Sequence, residues 1–315
     1  MLDLVIIGGS AAGCSAAIYA ARRKLNFKMI AENMGGEVAL SGEVANWPGI
    51  QSIHGFELAN NFTEHVRSYR VDIMEGWRVE KINSEKNFHI IMVKNIDGEI
   101  QNIEAKTIII ATGIHPRKLL LPGMEEFDHK GITYCTVCDG PLFRGKITAT
   151  LGSGNSALES AIMMAGIAKK VYLVSLFENN EAEAWGFPNG EKILADKIKA
   201  FKNVEVLYKA NTTEIFGEET VKGLRYKNKD GETKEIAVDA VMVHVGTIPN
   251  STFVDSVKKD KLGQIIIDKK CETNIPGIFA AGDVTDIPYK QIGIASGQGI
   301  LAALSAIDYV NKWKE

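Results

Sequence analysis

Two cysteines near the middle of the chain have a spacing that supports chemistry. Cys135 and Cys138 are separated by two residues, and Asp139 follows directly. A Cys-x-x-Cys pair closes a redox-active disulfide or supplies half of a zinc site. Zinc would need two further Cys or His ligands, but Cys14 and Cys271 are isolated and the six histidines form no close pair. We therefore predict no metal and a redox role, in which Asp139 shuttles the proton that thiol–disulfide exchange requires.

A glycine-rich turn near the N-terminus has the pattern of a dinucleotide-binding loop. A mostly apolar run over 2–7 leads into Gly8-Gly9-Ser10-Ala11-Ala12-Gly13. An alanine-rich helical pattern follows, and a second mostly apolar run over 27–31 ends at Glu32. In such a strand–turn–helix–strand unit, backbone N–H groups face a pyrophosphate and the acid binds a ribose. Ser10 departs from the pattern, because it adds a Cβ where the backbone should approach the phosphate.

The same pattern recurs 144 residues later in the chain. A strand pattern over 146–151 leads into a second glycine loop, a helical pattern runs to Gly166, and another strand pattern covers 171–174. Two such loops in one chain are typical of flavoproteins that also use a nicotinamide nucleotide. The candidate nicotinamide-site residues are Gly152, Gly154, Asn155, Ser156 and Ala157.

The strand end that should select the nicotinamide nucleotide lacks the expected side chains. An acid there would bind the ribose hydroxyls, and arginines would bind a 2′-phosphate. The sequence instead continues through Ser175 into the polar stretch 178–190, with no arginine before Arg225. This domain therefore either binds NADPH or NADH through its glycine loop or keeps the fold without binding them. The stretch 178–190 is either a partner-docking loop or an irregular connection.

Composition and charge restrict the function classes. A chain of 315 residues is long enough for two domains. Its 36 basic and 39 acidic side chains give a net charge of −3, which removes the electrostatic argument for a nucleic-acid partner. Residues 4–21 are uncharged, but their glycines and serines favour a strand–turn–helix over a membrane span. No basic residue precedes them as in a secretory signal, so we expect a soluble cytoplasmic protein without a membrane partner.

Further segments, in this order, resemble those of a known family. The first loop is followed by Gly35-Gly36-Glu37, the run 43–49, the run 108–113, the run 279–284 and the run 288–292. Over nearly its whole length the chain resembles the low-molecular-weight thioredoxin reductases and the similar flavoprotein subunit of alkyl hydroperoxide reductase. That subunit carries an additional N-terminal dithiol module, whereas this sequence starts at the first FAD strand. The resemblance implies FAD bound by Gly8, Ser10, Ala11, Gly13, Glu32, Gly36, Glu37 (more often Gln in the family), Asn46, Ala111, Thr112, Gly113, Gly282, Asp283, Gln291 and Ile292.

The resemblance also implies a domain organisation. The fold would be α/β, with two Rossmann-like, three-layer ββα dinucleotide-binding domains, the second inserted into the first. Residues 1–115 and 246–315 would form the split FAD-binding domain, and residues 116–245 the inserted NAD(P)-like domain with the redox cysteines. The family is usually a homodimer, and its inserted domain swings so that the dithiol alternates between flavin and protein substrate. Trp313 would cover the flavin or, as we expect, pack on a partner subunit.

The implied activity is that of an FAD-dependent thioredoxin-disulfide reductase. Electrons would pass from a reduced donor through FAD and the Cys135–Cys138 pair to thioredoxin or a similar protein disulfide. Cys138 would face the flavin, Cys135 would attack the external disulfide, and Asp139 would act as general acid and base. The donor stays open among NADPH, NADH and ferredoxin. The alternatives are a ferredoxin-linked, pyridine nucleotide-independent reductase, an oxygen-using dithiol oxidase, and a flavoprotein redox sensor without turnover.

Overall fold

The computed structural model of the protein describes residues 1–314, so Glu315, the last residue of the predicted range 246–315, lies outside the described residues. The α-helices are α1 (Ala11–Arg22), α2 (Gly36–Ala39), α3 (Gly55–Ser68), α4 (Thr136–Asp139), α5 (Asn155–Ala165), α6 (Lys192–Ala200) and α7 (Ile292–Lys312). Short 3₁₀ helices cover Gly140–Phe143 and Glu181–Gly186.

The strands follow the order of the chain. They are β1 (Leu2–Gly9), β2 (Phe27–Met34), β3 (Glu43–Val44), β4 (Ile53–His54), β5 (Asp72–Glu75), β6 (Trp77–Ser84), β7 (His89–Asn95), β8 (Ile100–Ile110), β9 (Ile114–Pro116), β10 (Ile132–Thr133), β11 (Ile147–Leu151), β12 (Lys170–Val174), β13 (Val204–Leu207), β14 (Asn211–Gly217), β15 (Val221–Lys227), β16 (Thr233–Ala237), β17 (Ala240–Val243), β18 (Thr247–Pro249) and β19 (Ile278–Ala280).

The chain forms two compact units. Unit 1 contains Met1–His115 and the chain from Ile248 onward, and unit 2 contains Pro116–Thr247. The predicted second boundary, between residues 245 and 246, lies two residues before the observed crossing. The short strands β9 and β18, which pair with each other, lie where the chain passes between the units.

In unit 1, the parallel strands of the sheet lie between a layer of helices and the antiparallel strands that continue the same sheet. Strands β5-β2-β1-β8 are parallel, β19 also runs parallel to β8, and β7 and β6 continue the sheet in antiparallel pairing. Side chains alternate along β1, as the period of a strand requires. Leu4 and Ile6 therefore pack with α1, α3 and α7, whereas Val5 and Ile7 pack with β6 and β7.

Unit 2 repeats this arrangement with a five-stranded sheet. Its strands β10-β17-β11-β12-β13 are all parallel, and β14-β15-β16 form a separate antiparallel layer. Ala149 and Leu151 of β11 pack towards the antiparallel strands, and Val171 and Leu173 of β12 pack towards α5 and α6. Each unit is thus a Rossmann-like ββα domain, and the predicted fold class is confirmed.

Helix α7 is the one described helix that is long and apolar enough to cross a membrane by length and composition alone. A core helix of a globular domain passes the same criterion. In unit 1, α7 lies so close to α1 that a Cβ built on Gly299 would stand 2.0 Å from the Ala12 carbonyl oxygen. The uncharged run 4–21, for which we predicted a strand–turn–helix, forms β1, the glycine loop and most of α1.

Candidate functional site

The first glycine loop joins β1 to α1 at close range. Gly8 has φ +120°, and a Cβ built there would lie 2.1 Å from the Ala111 carbonyl oxygen. Gly13, in the first turn of α1, lies equally close to the end of β1, because a Cβ built on it would stand 1.9 Å from the Gly8 carbonyl oxygen. A larger residue at either position would force helix and strand apart, so both glycines are needed to form this turn.

Ser10 explains how the loop tolerates a side chain where the pattern has its middle glycine. It is the N-cap residue of α1, and its Oγ donates a hydrogen bond to the Gly35 carbonyl oxygen at 2.5 Å. Gly36 has φ +51°, and a Cβ there would lie 3.1 Å from the Ser10 Cβ. The Ser10 side chain is thus accommodated by the Gly35-Gly36 turn.

The first loop opens onto a cavity of about 940 Å³ within unit 1. The carboxyl ends of β1, β2 and β8 and the N-terminus of α7 contribute to it, which is where parallel α/β sheets bind ligands. Asn46 and Gly13 support its wall, Asn46 through a hydrogen bond from Nδ2 to Gln291 Oε1 at 3.0 Å. The other predicted cofactor residues line it directly: Gly8, Ser10, Ala11, Glu32, Gly36, Glu37, Ala111, Thr112, Gly113, Gly282, Asp283, Gln291 and Ile292.

The residues that line the cavity include an exposed charge cluster. Glu32 ends the buried part of β2, and its Oε1 lies 3.6 Å from Arg78 Nε. Arg78 also pairs with Glu80 at 2.8 Å. Sequence reasoning missed Arg78, because β6 is distant in sequence from the glycine loop. The carboxylate of Glu32 remains available to accept ribose hydroxyl hydrogen bonds, as its half-exposed position allows.

The lining of the cavity also includes two partly buried carboxyl groups. Burial raises the pKa of Asp283, and the nearby Lys290 ammonium acts in the opposite direction. Burial also raises the pKa of Glu37, an effect that His115 opposes and Asp283 reinforces. Lys290 donates a hydrogen bond from Nζ to the Thr285 carbonyl oxygen at 2.6 Å, and burial lowers its pKa. Burial thus disfavours the charged form of Asp283, Glu37 and Lys290 alike.

Asn250 holds the turn after β8 in place, and sequence reasoning did not identify it. Its Nδ2 donates to the Thr112 carbonyl oxygen at 2.8 Å, while Thr112 Oγ1 donates to the Asn250 carbonyl oxygen at 2.5 Å. His115 Nδ1 lies 2.5 Å from Asn250 Oδ1. The only sequence signal for this role is its position directly after β18, at the return of the chain to unit 1.

These features fit FAD. The cavity volume of about 940 Å³ lies at the upper end of the range for ligand pockets, roughly 300–1,000 Å³, as an extended dinucleotide requires. Gly8 and Gly36 line the cavity with backbone alone, and neither position has room for a Cβ. Glu32 and Asp283 supply oxygen acceptors at separate places along its wall.

The cysteine pair lies in unit 2 and forms a disulfide. The Cys135 and Cys138 sulfurs are 2.07 Å apart, and the Cα atoms are 5.3 Å apart. Cys135 is the N-cap residue of α4 and is half-buried, whereas Cys138 is exposed. The Cys138 N–H donates a hydrogen bond to Cys135 Sγ at 3.2 Å. Such a donor stabilises a thiolate at Cys135 once the bond is reduced.

Asp139 is held beside the disulfide by Thr133. Thr133 Oγ1 donates to Asp139 Oδ2 at 2.5 Å and accepts a hydrogen bond from the Cys135 N–H at 3.0 Å. The Asp139 N–H in turn donates to the Cys135 carbonyl oxygen at 3.1 Å. The structure therefore places all three predicted catalytic residues in one short segment, and it adds Thr133, which the sequence did not single out.

A buried polar chain supports the helix that carries the cysteines. Thr136 Oγ1 lies 2.6 Å from Ser160 Oγ and 2.9 Å from His244 Nε2. Burial lowers the pKa of His244 to about 4, so its ring is neutral at pH 7. These residues come from α4, α5 and the end of β17, and their contact could not be derived from spacing.

The second glycine loop has the expected backbone but additional partners. Gly152 lies close to the residue that follows β17, because a Cβ built on it would stand 2.1 Å from the His244 carbonyl oxygen. Gly154 is the N-cap residue of α5, and it forms an isolated β-bridge with Asn189. Asn155 Nδ2 donates to Glu191 Oε1 at 3.0 Å, and the Glu191 N–H donates to Asn155 Oδ1 at 2.7 Å. Of the other candidates, Ser156 is exposed in the first turn of α5 and Ala157 is fully buried.

The end of β12 is also engaged by the chain itself. Ser175 is fully buried, and its Oγ donates to the Gly186 carbonyl oxygen at 2.6 Å. Glu178 pairs with Lys209 at 2.8 Å on the surface. The stretch 178–190 is therefore ordered against unit 2, which answers part of the question that the sequence left open.

The remaining cysteines, Cys14 and Cys271, and Trp313 pack within unit 1. Burial raises the pKa of Cys14 and of Cys271 to about 12, so neither thiol is a nucleophile at neutral pH. Trp313 Nε1 donates to the Asn87 carbonyl oxygen at 2.7 Å, and Lys106 Nζ lies 4.8 Å from its ring centroid. Trp313 thus packs on its own unit and is absent from the residues that line the cavity.

A Rossmann-like unit with a dinucleotide cavity and a second such unit with an accessible disulfide define the class of flavin-dependent disulfide oxidoreductases. The sequence matches the family model of the pyridine nucleotide-disulphide oxidoreductases over residues 2–299. The chain belongs to this family. It is a flavoprotein disulfide oxidoreductase with FAD as its cofactor, which confirms the predicted family, enzyme class and flavin.

Individual relatives refine this placement. An alkyl hydroperoxide reductase subunit of Escherichia coli (strain K12) is 37% identical over 318 residues, 99% of this chain and 59% of that protein. The chain thus spans about three fifths of the length of this relative. The solved thioredoxin reductase of Lactococcus lactis has a TM-score of 0.89 and 32% identity, covering 99% of this chain and 100% of that one. A ferredoxin-flavin thioredoxin reductase from Clostridium acetobutylicum has a TM-score of 0.53 and 29% identity, covering 99% and 98%.

Proposed function

We propose that the protein reduces a disulfide of thioredoxin or of a thioredoxin-like protein, with electrons that pass from a reduced donor through FAD to the Cys135–Cys138 pair. One observation carries the proposal: Cys135 and Cys138 form a disulfide beside Asp139, at a place where Cys138 is exposed. The names of the relatives agree with a disulfide substrate. Because the chain spans only part of the alkyl hydroperoxide reductase subunits, its substrate is a proposal.

The residues of unit 2 supply the thiol chemistry. In the reduced state, the Cys135 thiolate attacks one sulfur of the external disulfide, which forms a mixed disulfide and releases the other sulfur as a thiolate. Cys138 then attacks Cys135 Sγ, which restores the intramolecular disulfide and releases the substrate as a dithiol. The Cys138 N–H bond to Cys135 Sγ favours the attacking thiolate. Asp139 delivers the proton to the leaving sulfur, and Thr133 fixes the orientation of its carboxyl group.

The residues of unit 1 would hold the cofactor. The glycine loop with Gly8 and the N-terminus of α1 would bind the pyrophosphate, Glu32 a ribose, and Asp283 the ribityl chain. Bound FAD supplies the two-electron chemistry that connects the donor with the disulfide. The proposal requires the Cys138 sulfur to come within reach of the flavin during the cycle. The cytoplasmic location and the homodimer remain predictions.

A ferredoxin-linked reductase is the second candidate. The observation that favours it is the end of β12. Ser175 stands where an acid would bind the ribose hydroxyls, and its Oγ donates a hydrogen bond to the Gly186 carbonyl oxygen. No arginine occurs between residues 145 and 224 to bind a 2′-phosphate. The ferredoxin-flavin thioredoxin reductase of C. acetobutylicum shows that a relative with this overall fold is named for ferredoxin.

The experiment should be independent of the donor. The FAD-loaded protein is reduced photochemically without oxygen, oxidised thioredoxin is added, and the return of flavin absorbance and the new thiols are measured. We expect one thioredoxin dithiol for each flavin reoxidised. Cys138→Ser should keep FAD but form no free thioredoxin dithiol, whereas Cys271→Ala, a matched change at a buried thiol, should behave like the wild type. Unchanged thioredoxin reduction by Cys138→Ser would contradict the proposal.

A further inference from the structure

The segment 178–191, which we call the cover segment, is attached to the second glycine loop at two neighbouring points. Asn189 forms a β-bridge with Gly154, the N-cap residue of α5. Glu191 and Asn155 exchange two hydrogen bonds, one from Asn155 Nδ2 at 3.0 Å and one from the Glu191 N–H at 2.7 Å. The C-terminal part of the segment therefore lies against the loop and the first turn of α5.

The rest of the cover segment is anchored in unit 2. The Gly186 carbonyl oxygen accepts the hydrogen bond of the buried Ser175 at 2.6 Å. Phe187 is 1% exposed, and its ring centroid is 6.3 Å from that of Tyr208. Gly190 lies so close to α5 that a Cβ would stand 2.6 Å from Leu158 Cδ1. The segment is thus packed in place between Gly186 and Gly190.

These attachment points coincide with the positions at which a dinucleotide binds this type of fold. The pyrophosphate lies at the glycine loop and the helix N-terminus, and a ribose lies at the end of the following strand. Gly154 and Asn155 belong to the first position, and Ser175 to the second. In each place the cover segment already forms a hydrogen bond, Glu191 with the Asn155 side chain and the Gly186 carbonyl oxygen with Ser175 Oγ.

The charge of the cover segment also disfavours the binding of a dinucleotide. It contains four glutamates, at positions 178, 181, 183 and 191, and no lysine or arginine. The Glu191 carboxylate at the first turn of α5 is close enough to Glu159 to contribute to the raised pKa of that residue. A diphosphate placed at this turn would meet like charges, which are repulsive.

We propose that the cover segment excludes nicotinamide dinucleotides from the second glycine loop, so that neither NADPH nor NADH is the electron donor. Gly154 and Asn155 then serve the structure of unit 2, and the donor delivers its electrons to FAD directly, as a ferredoxin-type protein would. The consequence for the electron donor rests on the proposed function, but the exclusion itself concerns binding to unit 2 alone.

The first measurement uses the FAD-loaded wild type. Binding of NADPH and NADH is measured by equilibrium dialysis, and flavin bleaching by each nucleotide is followed without oxygen. We expect dissociation constants of ~1 mM or weaker, with no bleaching. Saturable binding in the micromolar range to the wild type would overturn the proposal.

The second measurement opens the cover segment. Ser175→Ala with Glu191→Ala removes the side chains that anchor the segment at Gly186 and at Asn155. A glutamate-specific protease reports the opening through cleavage within 178–191. Lys192→Ala with Asp196→Ala is the matched control, because it breaks an exposed ion pair on the adjacent helix. We expect faster cleavage and at least about tenfold tighter nucleotide binding in the first variant only. If that variant resists cleavage like the wild type, Phe187→Ala, which removes the buried anchor, is measured by the same criterion.

An opened segment without a gain in nucleotide binding would overturn the proposal, because exclusion would then have another cause. The photochemical thioredoxin assay, run on the same wild-type preparation, separates the two proposals. If the wild type binds NADPH tightly but still reduces thioredoxin, the exclusion is wrong and the reductase function stands. If it binds no nucleotide and also fails to reduce thioredoxin, the exclusion stands and the function is wrong.

Discussion

The hydroxyl group of Thr136 joins the cysteine-bearing helix to the rest of unit 2, so its removal is an informative perturbation. Thr136→Val keeps the volume and the β-branched shape but removes the oxygen that contacts Ser160 Oγ and His244 Nε2. Thr136 and Ser160 are 5% and 4% exposed, so water cannot readily replace the lost partner at Ser160. We expect unit 2 to lose stability while unit 1 is unaffected.

The expected magnitude follows from the two polar atoms left without a partner. Each such buried group costs about 1–3 kcal/mol, which gives about 2–6 kcal/mol for Ser160 Oγ and His244 Nε2 together. The His244 side chain is only half-buried, so hydration reduces its share. We therefore expect a loss of about 2–4 kcal/mol, which corresponds to a decrease of about 5–10 °C in the unfolding midpoint of unit 2.

Hydrogen exchange by mass spectrometry, combined with denaturant titration, measures the two units separately. Adding Ser160→Ala to Thr136→Val removes the unpaired hydroxyl, so we expect it to restore about 1 kcal/mol, although Ser160→Ala alone should destabilise. The reasoning is refuted if Thr136→Val changes the free energy of unfolding by less than about 0.5 kcal/mol, or if the two substitutions are strictly additive.

Two further predictions concern acid stability and cofactor binding. Burial lowers the pKa of His244 and of His89 to about 4, so below pH 6.5 the unfolded chain binds protons that the folded chain does not, and stability should fall between pH 6.5 and 4. Denaturant titrations over this pH range should show that the free energy of unfolding falls by about 2–3 kcal/mol per histidine. His89→Gln should make the stability of unit 1 less dependent on pH, and an unchanged pH dependence in this variant would contradict the prediction. Gly36→Ala should weaken FAD binding about tenfold, because its Cβ would lie 3.1 Å from the Ser10 Cβ and its φ is +51°. FAD release followed by fluorescence should show part of this loss restored by adding Ser10→Gly, and the same loss in both backgrounds would exclude the contact with Ser10.

The parts of the molecule that the sequence predicts well are those encoded locally. The order of strand, glycine turn and helix around Gly8 is set by the hydrophobic period and by residues that tolerate a left-handed backbone, and both can be read within a window of about 30 residues. The same holds for the loop at Gly152 and for the pairing of Cys135 with Cys138. The fold class followed from the repetition of these local units.

The features that the sequence did not reveal depend on contacts between distant segments. Asn250 stabilises the Thr112 turn from 138 residues away, and Thr136 reaches His244 across 108 residues. No periodicity or spacing encodes which side chain completes such a hydrogen bond. The contact of Glu191 with Asn155 likewise depends on how the stretch 178–190 packs, and its composition indicated only that it was polar.

The two glycine loops show that a dinucleotide pattern defines a backbone shape and not a ligand. Both loops follow a buried parallel strand, both begin with a glycine in a left-handed conformation, and both lead into a helix. The first faces Gly35 and Gly36, which contribute backbone without bulk, and it opens onto the cavity of unit 1. The second faces Asn189, which forms a backbone β-bridge with Gly154, and Glu191, whose carboxylate accepts a hydrogen bond from Asn155 in the first turn of the helix. The chemistry of the segment opposite each loop, more than the loop itself, therefore decides whether a phosphate can bind there.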